Sequence, residues 1–327
     1  MFGDQGQAAV FYNIVRKWFT LTSVACSPLL FVINAPFGRF SLSSDSLFQV
    51  DGIKSWIIME LVSPISFLYA FFTSPLSYMF PTNPPLSSPQ LILAGIFLVH
   101  YTNRALISPL RTPSRSKSHI IVFLSAVCFN VLNGAMMGAY LTSPFARIFL
   151  TSPYTFRRPT FYIGLALWAV GFAGNILHDE ILLDIRRKAK NKDKGEVSQN
   201  GKATSPKPKQ EHYGIPQGWL YKYISYPNYF CEWVEWLGFA LAAAPLPLAT
   251  SSLTLASLSS FFTVQSISSL ISDPAYLFAP NLAPPYIFLI SEVFLMFPRA
   301  YKGHQWYKKK FGKDYPKERK IVIPHVL

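Results

Sequence analysis

Seven apolar runs, each long enough to cross a bilayer and separated by polar stretches, constrain this chain more than any other feature. They cover about 18–36, 56–79, 90–109, 119–142, 159–184, 228–249 and 282–298. A helix needs roughly 20 mostly apolar residues to span the hydrocarbon. In lipid, a helix also satisfies its own backbone hydrogen bonds. The expected fold is therefore all-α: a polytopic membrane helical bundle of about seven transmembrane helices, forming a single domain over residues 1–327. Composition agrees, since 50% of the residues are hydrophobic and 14% are charged, where soluble domains carry about 25% charged residues. A further run, 251–272, is apolar but rich in Ser and Thr and free of Lys and Arg. It is open to three readings: an eighth span, a re-entrant segment or an interfacial one.

The net charge of +14 could suggest nucleic acid, but its distribution excludes that class. Lys and Arg sit between the apolar runs, as they do in the cytoplasmic loops of membrane proteins. Arg39 and Lys54 mark the first loop, Arg111, Arg115 and Lys117 the third, and the stretch from Arg186 to Lys222 the fifth. The tail from Arg299 is very basic, whereas 80–89 has no charge and 250–281 has no Lys or Arg. This alternation places the odd loops and the C-terminus in the cytoplasm. Arg147, Arg157 and Arg158 depart from it, as do Arg16 and Lys17. Residues 188–211 are polar, charged and poor in large apolar groups, and are read as a disordered cytoplasmic insert; 250–281 is read as a non-cytoplasmic insert. The first run follows Arg16 and Lys17 and reads as a true span rather than a cleaved leader. Cys26, Cys128 and Cys231 all lie in apolar stretches with no CxxC, which argues against a disulfide framework and a metal site. Neither GxGxxG nor GxxxxGK[ST] occurs, so neither of these nucleotide-binding motifs is present.

An ionisable side chain at mid-bilayer costs at least about 2.5 kcal/mol, so such residues mark functional candidates. Four groups stand out. Trp56 and Glu60, four apart in WIIME, share a helix face. HYTNR puts His100, Tyr101, Asn103 and Arg104 late in the third run; a Tyr can give a proton to a carbonyl, while an interfacial aromatic belt with a snorkelling Arg is the plain structural alternative. In GNILHDEILLDIRR, Asn175, Asp179 and Arg186 fall on one helical face. In NYFCEWVEW, Asn228, Glu232 and Glu235 or Trp236 recur at helical spacing, and two carboxylates entering an apolar run need partners. The solvated ends of helices would account for part of both patterns. Arg111, Arg115, Arg186, Arg299, Lys302 and the Lys308–Lys310 run give the cytoplasmic side a basic mouth. That suits a polyanionic cofactor, and equally anionic lipid headgroups.

The stretch Tyr213–Gly238, with I-P-Q-G and P-N-Y-x-x-E-x-x-E-W-x-G, and the tail Arg299–Pro324, with H-x-W-Y and D-Y-P-x-x-R-K-x-x-I-P, together resemble the steroid 5α-reductase family. Weaker likenesses cover Asn175–Arg186, Trp56–Glu60 and His100–Arg104. The resemblance implies a multi-pass, seven-helix enzyme of the endoplasmic reticulum membrane with a cytoplasmic C-terminus, acting as a monomer. Such an enzyme uses NADPH to reduce a carbon–carbon double bond conjugated to a carbonyl in a lipophilic, steroid-like enone. Carried over position by position, Glu60 and Tyr101 match the pair that holds the substrate's 3-keto oxygen, and Trp56 and Trp236 match positions at the substrate pocket. Asn175, Asp179, Arg186, Tyr213, Asn228, Glu232, Arg299 and Tyr307 match cofactor contacts, and Arg104 and Arg115 are phosphate partners by charge. Gly214 stands where the family usually has Arg or Lys. Gly303 replaces one member of a usual His pair and leaves His304 as the other, expected on the cofactor side. The tail also carries an extra residue near Gly312 and Lys313.

The implied reaction builds negative charge on the carbonyl oxygen, and a preorganised donor in a dry pocket lowers that barrier. Tyr101 can supply an O–H, and Glu60 could donate as well if its surroundings kept it neutral. Polyprenol and very-long-chain enoyl-CoA reductases share the tail, but the E-W-x-G after Asn228 favours the steroid branch. A non-enzymatic membrane lipid carrier would also hold intramembrane carboxylates. Cofactor binding separates that class from the enzymes.

Overall fold

A computed structural model describes residues 4–41, 48–77, 85–200, 213–247 and 263–327. Among the described residues, each of the seven expected runs is mainly helical. The long elements are α1 (Asp4–Val32), α2 (Gly52–Thr73), α3 (Ser88–Thr102), α4 (Ser108–Arg111) and α5 (Ile120–Leu141). They are followed by α6 (Pro144–Phe149), α7 (Ser152–Thr155), α8 (Pro159–Asn200), α9 (Pro227–Ala243), α10 (Val264–Ser272) and α11 (Pro284–Phe311). A π-helical turn, Asn103–Ile107, joins α3 to α4 in one continuous rod. Strand among the described residues is confined to one two-residue antiparallel pair, Gln49 opposite His119 and Val50 opposite Ser118. Four stretches are long and apolar enough to cross a membrane by length and composition: Gly52–Thr73, Ser88–Arg111, Ile120–Leu141 and Pro159–Asn191. The other three expected spans correspond to α1, α9 and α11.

Small residues set the helix spacing. Within lipid there is no hydrophobic force between helices, so close backbone approach has to supply the packing. On α5, a Cβ at Gly134 or Gly138 would collide with the backbone carbonyls of Ser63 or Phe67 on α2. On α8 and α9, a Cβ at Gly171 would strike the Glu235 backbone, and one at Gly238 the Trp168 backbone. Between these two glycine-sealed pairs lies an aromatic core, in which the Phe67 and Phe97 rings stack at 4.2 Å and Trp236 meets Phe288 edge-on at 4.6 Å.

Three expectations need correcting or narrowing. First, α1 begins at Asp4, so Arg16 and Lys17 lie mid-helix and buried rather than ahead of the span. Arg16 Nη2 donates to the Ala279 and Leu282 carbonyls at 2.8 Å each, and Lys17 Nζ to those of Ile271 and Asp273 at 2.8 and 2.6 Å. The two cations that break the loop-charge pattern thus tie α1 to the 250–281 insert. Second, α8 continues through the stretch expected to be disordered, as far as Asn200. A nucleated helix extends cheaply, one bond per residue, and Lys, Ala, Glu and Gln in 188–200 are good helix formers. Residues 201–212 lie outside the described set. Third, most of the run 251–272 also lies outside it. Its described end is α10, nine residues long, or about 14 Å at 1.5 Å per residue, which is too short to cross.

Candidate functional site

Local signals place each candidate side chain. Asp51 caps α2 by accepting from the Ile53 and Lys54 amides at 3.0 and 2.8 Å, which fixes Trp56 and Glu60 in the next two turns. Ser87 and Gln90 form a capping box at the start of α3, whose far end carries His100 and Tyr101. The π turn then inserts its extra residue where Arg104 projects; such turns are common at functional sites. Pro227, at the first position of α9, presets the backbone that holds Asn228.

Five arginines converge on a cleft between the ends of these helices. It is lined by Arg39, Arg104, Arg115, Arg186 and Arg299, with Trp56, Asp179, Tyr226, Asn228 and Tyr229 among its other walls. The Arg115 guanidinium lies 3.5 Å over the Trp56 ring and that of Arg104 4.9 Å from it, while Trp56 Nε1 donates to the Arg104 carbonyl at 3.2 Å. Arg299 lies 3.5 Å over Phe37. Burial, followed by the positive charges of Arg104 and Arg186, pushes Arg115 down to about 9. The lining itself is cationic, with five arginines against the single carboxylate of Asp179.

Beneath the cleft the polar residues of α2, α3, α5, α8, α9 and α11 meet. Arg104 is 3.5 Å from Glu60 and 3.6 Å from Glu232. Asn175 donates to Glu232 Oε2 at 3.2 Å and to the Asn228 carbonyl at 3.0 Å, and Asn228 donates to Asp179 at 2.9 Å. His100 Nδ1 pairs with Glu235 at 2.7 Å, both buried. Tyr101, 3% exposed, accepts from Asn133 Nδ2 at 3.2 Å on the floor of the cluster, with Trp236 6.4 Å away ring to ring.

The sequence-derived candidates divide on this geometry. Trp56, Glu60, Tyr101, Arg104, Asn175, Asp179, Asn228, Glu232 and Trp236 come together, and Arg115, Arg186 and Arg299 join them at the cleft. Tyr213 and Tyr307 lie to one side, caging Arg39 with guanidinium–ring distances of 5.4 and 4.6 Å. His304 is drawn elsewhere: its Nδ1 meets Ser225 Oγ at 2.5 Å, and the same hydroxyl meets Tyr315 at 2.6 Å. It therefore anchors the C-terminal tail and does not line the cleft. Sequence reasoning passed over Arg39, Asn133, Glu292 and the pairing of His100 with Glu235. Glu292 has Glu232, Arg104, Glu235 and Glu60 as charged neighbours, and one of its oxygens is buried without a hydrogen-bond partner among the described residues. Its position within an apolar run was the signal that could have found it, as it was for Asn133.

Comparison with known proteins points the same way. The family model described as 3-oxo-5-alpha-steroid 4-dehydrogenase matches residues 116–269 and 270–327. An uncharacterized protein of Schizosaccharomyces pombe is 38% identical, with 97% of this chain and all of the relative covered. The 3-oxo-5-alpha-steroid 4-dehydrogenase 1 of Rattus norvegicus is 30% identical over 90% of this chain and 87% of its own length. A steroid 5-alpha-reductase of Solanum lycopersicum is 30% identical over 89% and 87%.

Proposed function

Since the chain belongs to the 3-oxo-5-alpha-steroid 4-dehydrogenase (steroid 5α-reductase) family, we propose that it reduces the C4–C5 double bond of a 3-oxo-Δ4 steroid or a similar lipophilic enone, using NADPH, in the endoplasmic reticulum membrane. The observation that carries this reading is the adjacency of an arginine-lined cleft to a buried cluster holding Tyr101 and Glu60. The five arginines of the cleft suit the phosphates of a dinucleotide. Arg115, Arg186 and Arg299 would hold those phosphates, with Tyr213 and Tyr307 alongside. Asn175, Asp179, Asn228 and Glu232, already bonded to one another, would present fixed amide and carboxylate groups to the rest of the cofactor. Bound NADPH supplies the hydride.

The remaining task falls to the chain's own residues. Asn133 donates to the Tyr101 oxygen and holds the phenol in place, and the Tyr101 O–H would be turned to a substrate carbonyl. In a site with little water that O–H acts on the oxygen where charge develops, at no reorganisation cost. Arg104 stands between Glu60 and Glu232. Glu60 is thereby held beside Tyr101, where the resemblance puts the second member of the carbonyl-holding pair; it can bond the substrate oxygen only through its own O–H. Trp56, which lines the cleft, and Trp236, in the aromatic core beside Tyr101, would flank the substrate.

The test uses purified full-length protein in detergent with NADPH and a panel of testosterone-like enones, a polyprenol-pathway substrate and an enoyl-CoA. Cofactor-dependent reduction of the steroid enones is expected. Arg299→Ala should weaken NADPH binding by about 1.5–3 kcal/mol, roughly tenfold or more. Turnover of the enoyl-CoA alone would reassign the substrate, and a protein that binds no NADPH would end the enzymatic reading.

A further inference from the structure

Position 303 has no room for a side chain. Gly303 lies on α11 opposite Tyr226, and a Cβ built on it would overlap the Tyr226 hydroxyl. The two positions therefore share one volume, which in this chain is filled from the 226 side. Tyr226 is only 8% exposed. Its backbone amide is tied to the Ile321 carbonyl at 3.0 Å, so the C-terminal tail fixes where the ring starts. That ring lies 5.7 Å from the Arg39 guanidinium carbon and 5.1 Å from the Tyr229 ring, and it lines the arginine cleft together with Arg299. Among the described residues no group hydrogen-bonds its hydroxyl. A phenol otherwise enclosed, without an internal partner, at the wall of a cationic cleft is a donor waiting for an anionic oxygen.

We propose that Tyr226 and Gly303 are a matched pair, in which glycine at 303 makes room for the Tyr226 hydroxyl to donate a hydrogen bond to a phosphate oxygen of the dinucleotide. The proposal rests on the NADPH reading above, and it makes Tyr226 a binding residue at the position where the sequence departs from its family's histidine pair. A polar group can enter the shared volume from either wall, but not from both.

The experiment measures NADPH affinity of full-length protein in detergent by quenching of tryptophan fluorescence, with thermal midpoints recorded in parallel. Tyr226→Phe keeps the ring and removes the donor, so its Kd should rise about tenfold at an unchanged midpoint. Gly303→His alone should lose affinity because the two side chains collide, and Tyr226→Gly alone because the volume is emptied. The double variant Tyr226→Gly/Gly303→His should bind more tightly than either single one. Wild-type affinity in Tyr226→Phe overturns the proposal, as does a double variant no tighter than both singles. Failure of the unaltered protein to bind NADPH is a different result, because it removes the parent reading.

Discussion

At Tyr101 the placement of one hydroxyl decides the chemistry. The Asn133 amide nitrogen donates to the tyrosine oxygen, and the Ser63 hydroxyl and Glu60 stand close to the same phenol, so the O–H is held in place within the polar cluster. Tyr101→Phe should accordingly slow single-turnover NADPH oxidation by about two to three powers of ten, with NADPH affinity retained. A near-normal rate with a reducible enone would dispose of the carbonyl-polarising role. His304 offers a second test, in stability. Burial, reinforced by the Lys308 and Arg319 charges, lowers it to about 4 from an ordinary value of 6.5. Below about 6.5 the unfolded chain takes up a proton that the folded protein refuses, so stability should fall as the pH drops from 6.5 towards 4. A melting series in detergent should show this slope, and His304→Gln should flatten it; an equal slope in both proteins would mean other groups cause it. Asn175 with Asp179, and Asn228 with Glu232, were legible in the sequence because each pair recurs along one face of its own helix. Glu292 was not, because it stands alone in its run and its charged neighbours come from α2, α9 and the π turn after α3. The bond of His304 to Ser225 was not legible, because a motif records which residue is there and not what it touches.

Helix existence was readable from hydropathy, whereas helix length was not. Hydropathy marks where lipid would be, and α1 and α8 both extend beyond it, α1 because the insert's carbonyls satisfy Arg16 and Lys17 and α8 because helix propagation needs no apolar face. Nor could hydropathy reveal the π turn, whose signal is a hydrogen-bond register and not a composition. The glycines are where element packing becomes testable. At Gly238 the neighbouring helix is met through its backbone at Trp168, so a larger side chain has nothing flexible to push aside. Gly238→Leu should force α8 and α9 apart and cost about 1–3 kcal/mol or more, seen as loss of a monodisperse peak after detergent extraction. Gly95, whose added Cβ meets nothing within 4 Å, is the control: Gly95→Ala should leave the peak unchanged. If Gly238→Leu extracts and elutes like the parent, the close approach of the two helices contributes little.

Across the whole molecule, the loop charges and the arginine cleft point to the same side. The cleft lies at the ends of helices whose connecting loops carry the excess Lys and Arg, so a water-soluble cofactor and the basic tail would meet in the cytoplasm. Protease added to sealed microsomes should therefore cleave within 188–211, and full protection of that stretch would invert the topology. The tail has a second consequence, for biosynthesis. The Ser225 and Tyr226 amides bond to the Lys320 and Ile321 carbonyls, and the Lys320 amide bonds back to Tyr223. The loop entering α9 is thus pinned by residues translated almost a hundred positions after it. Until those residues are made, the carboxylates Glu60, Glu232 and Glu235 would wait in the bilayer with their surroundings unfinished. A chain stopped at Phe311 lacks the tail's bonds to Tyr223, Ser225 and Tyr226 and should be inserted into the membrane yet be handled by the cell as an unfinished protein.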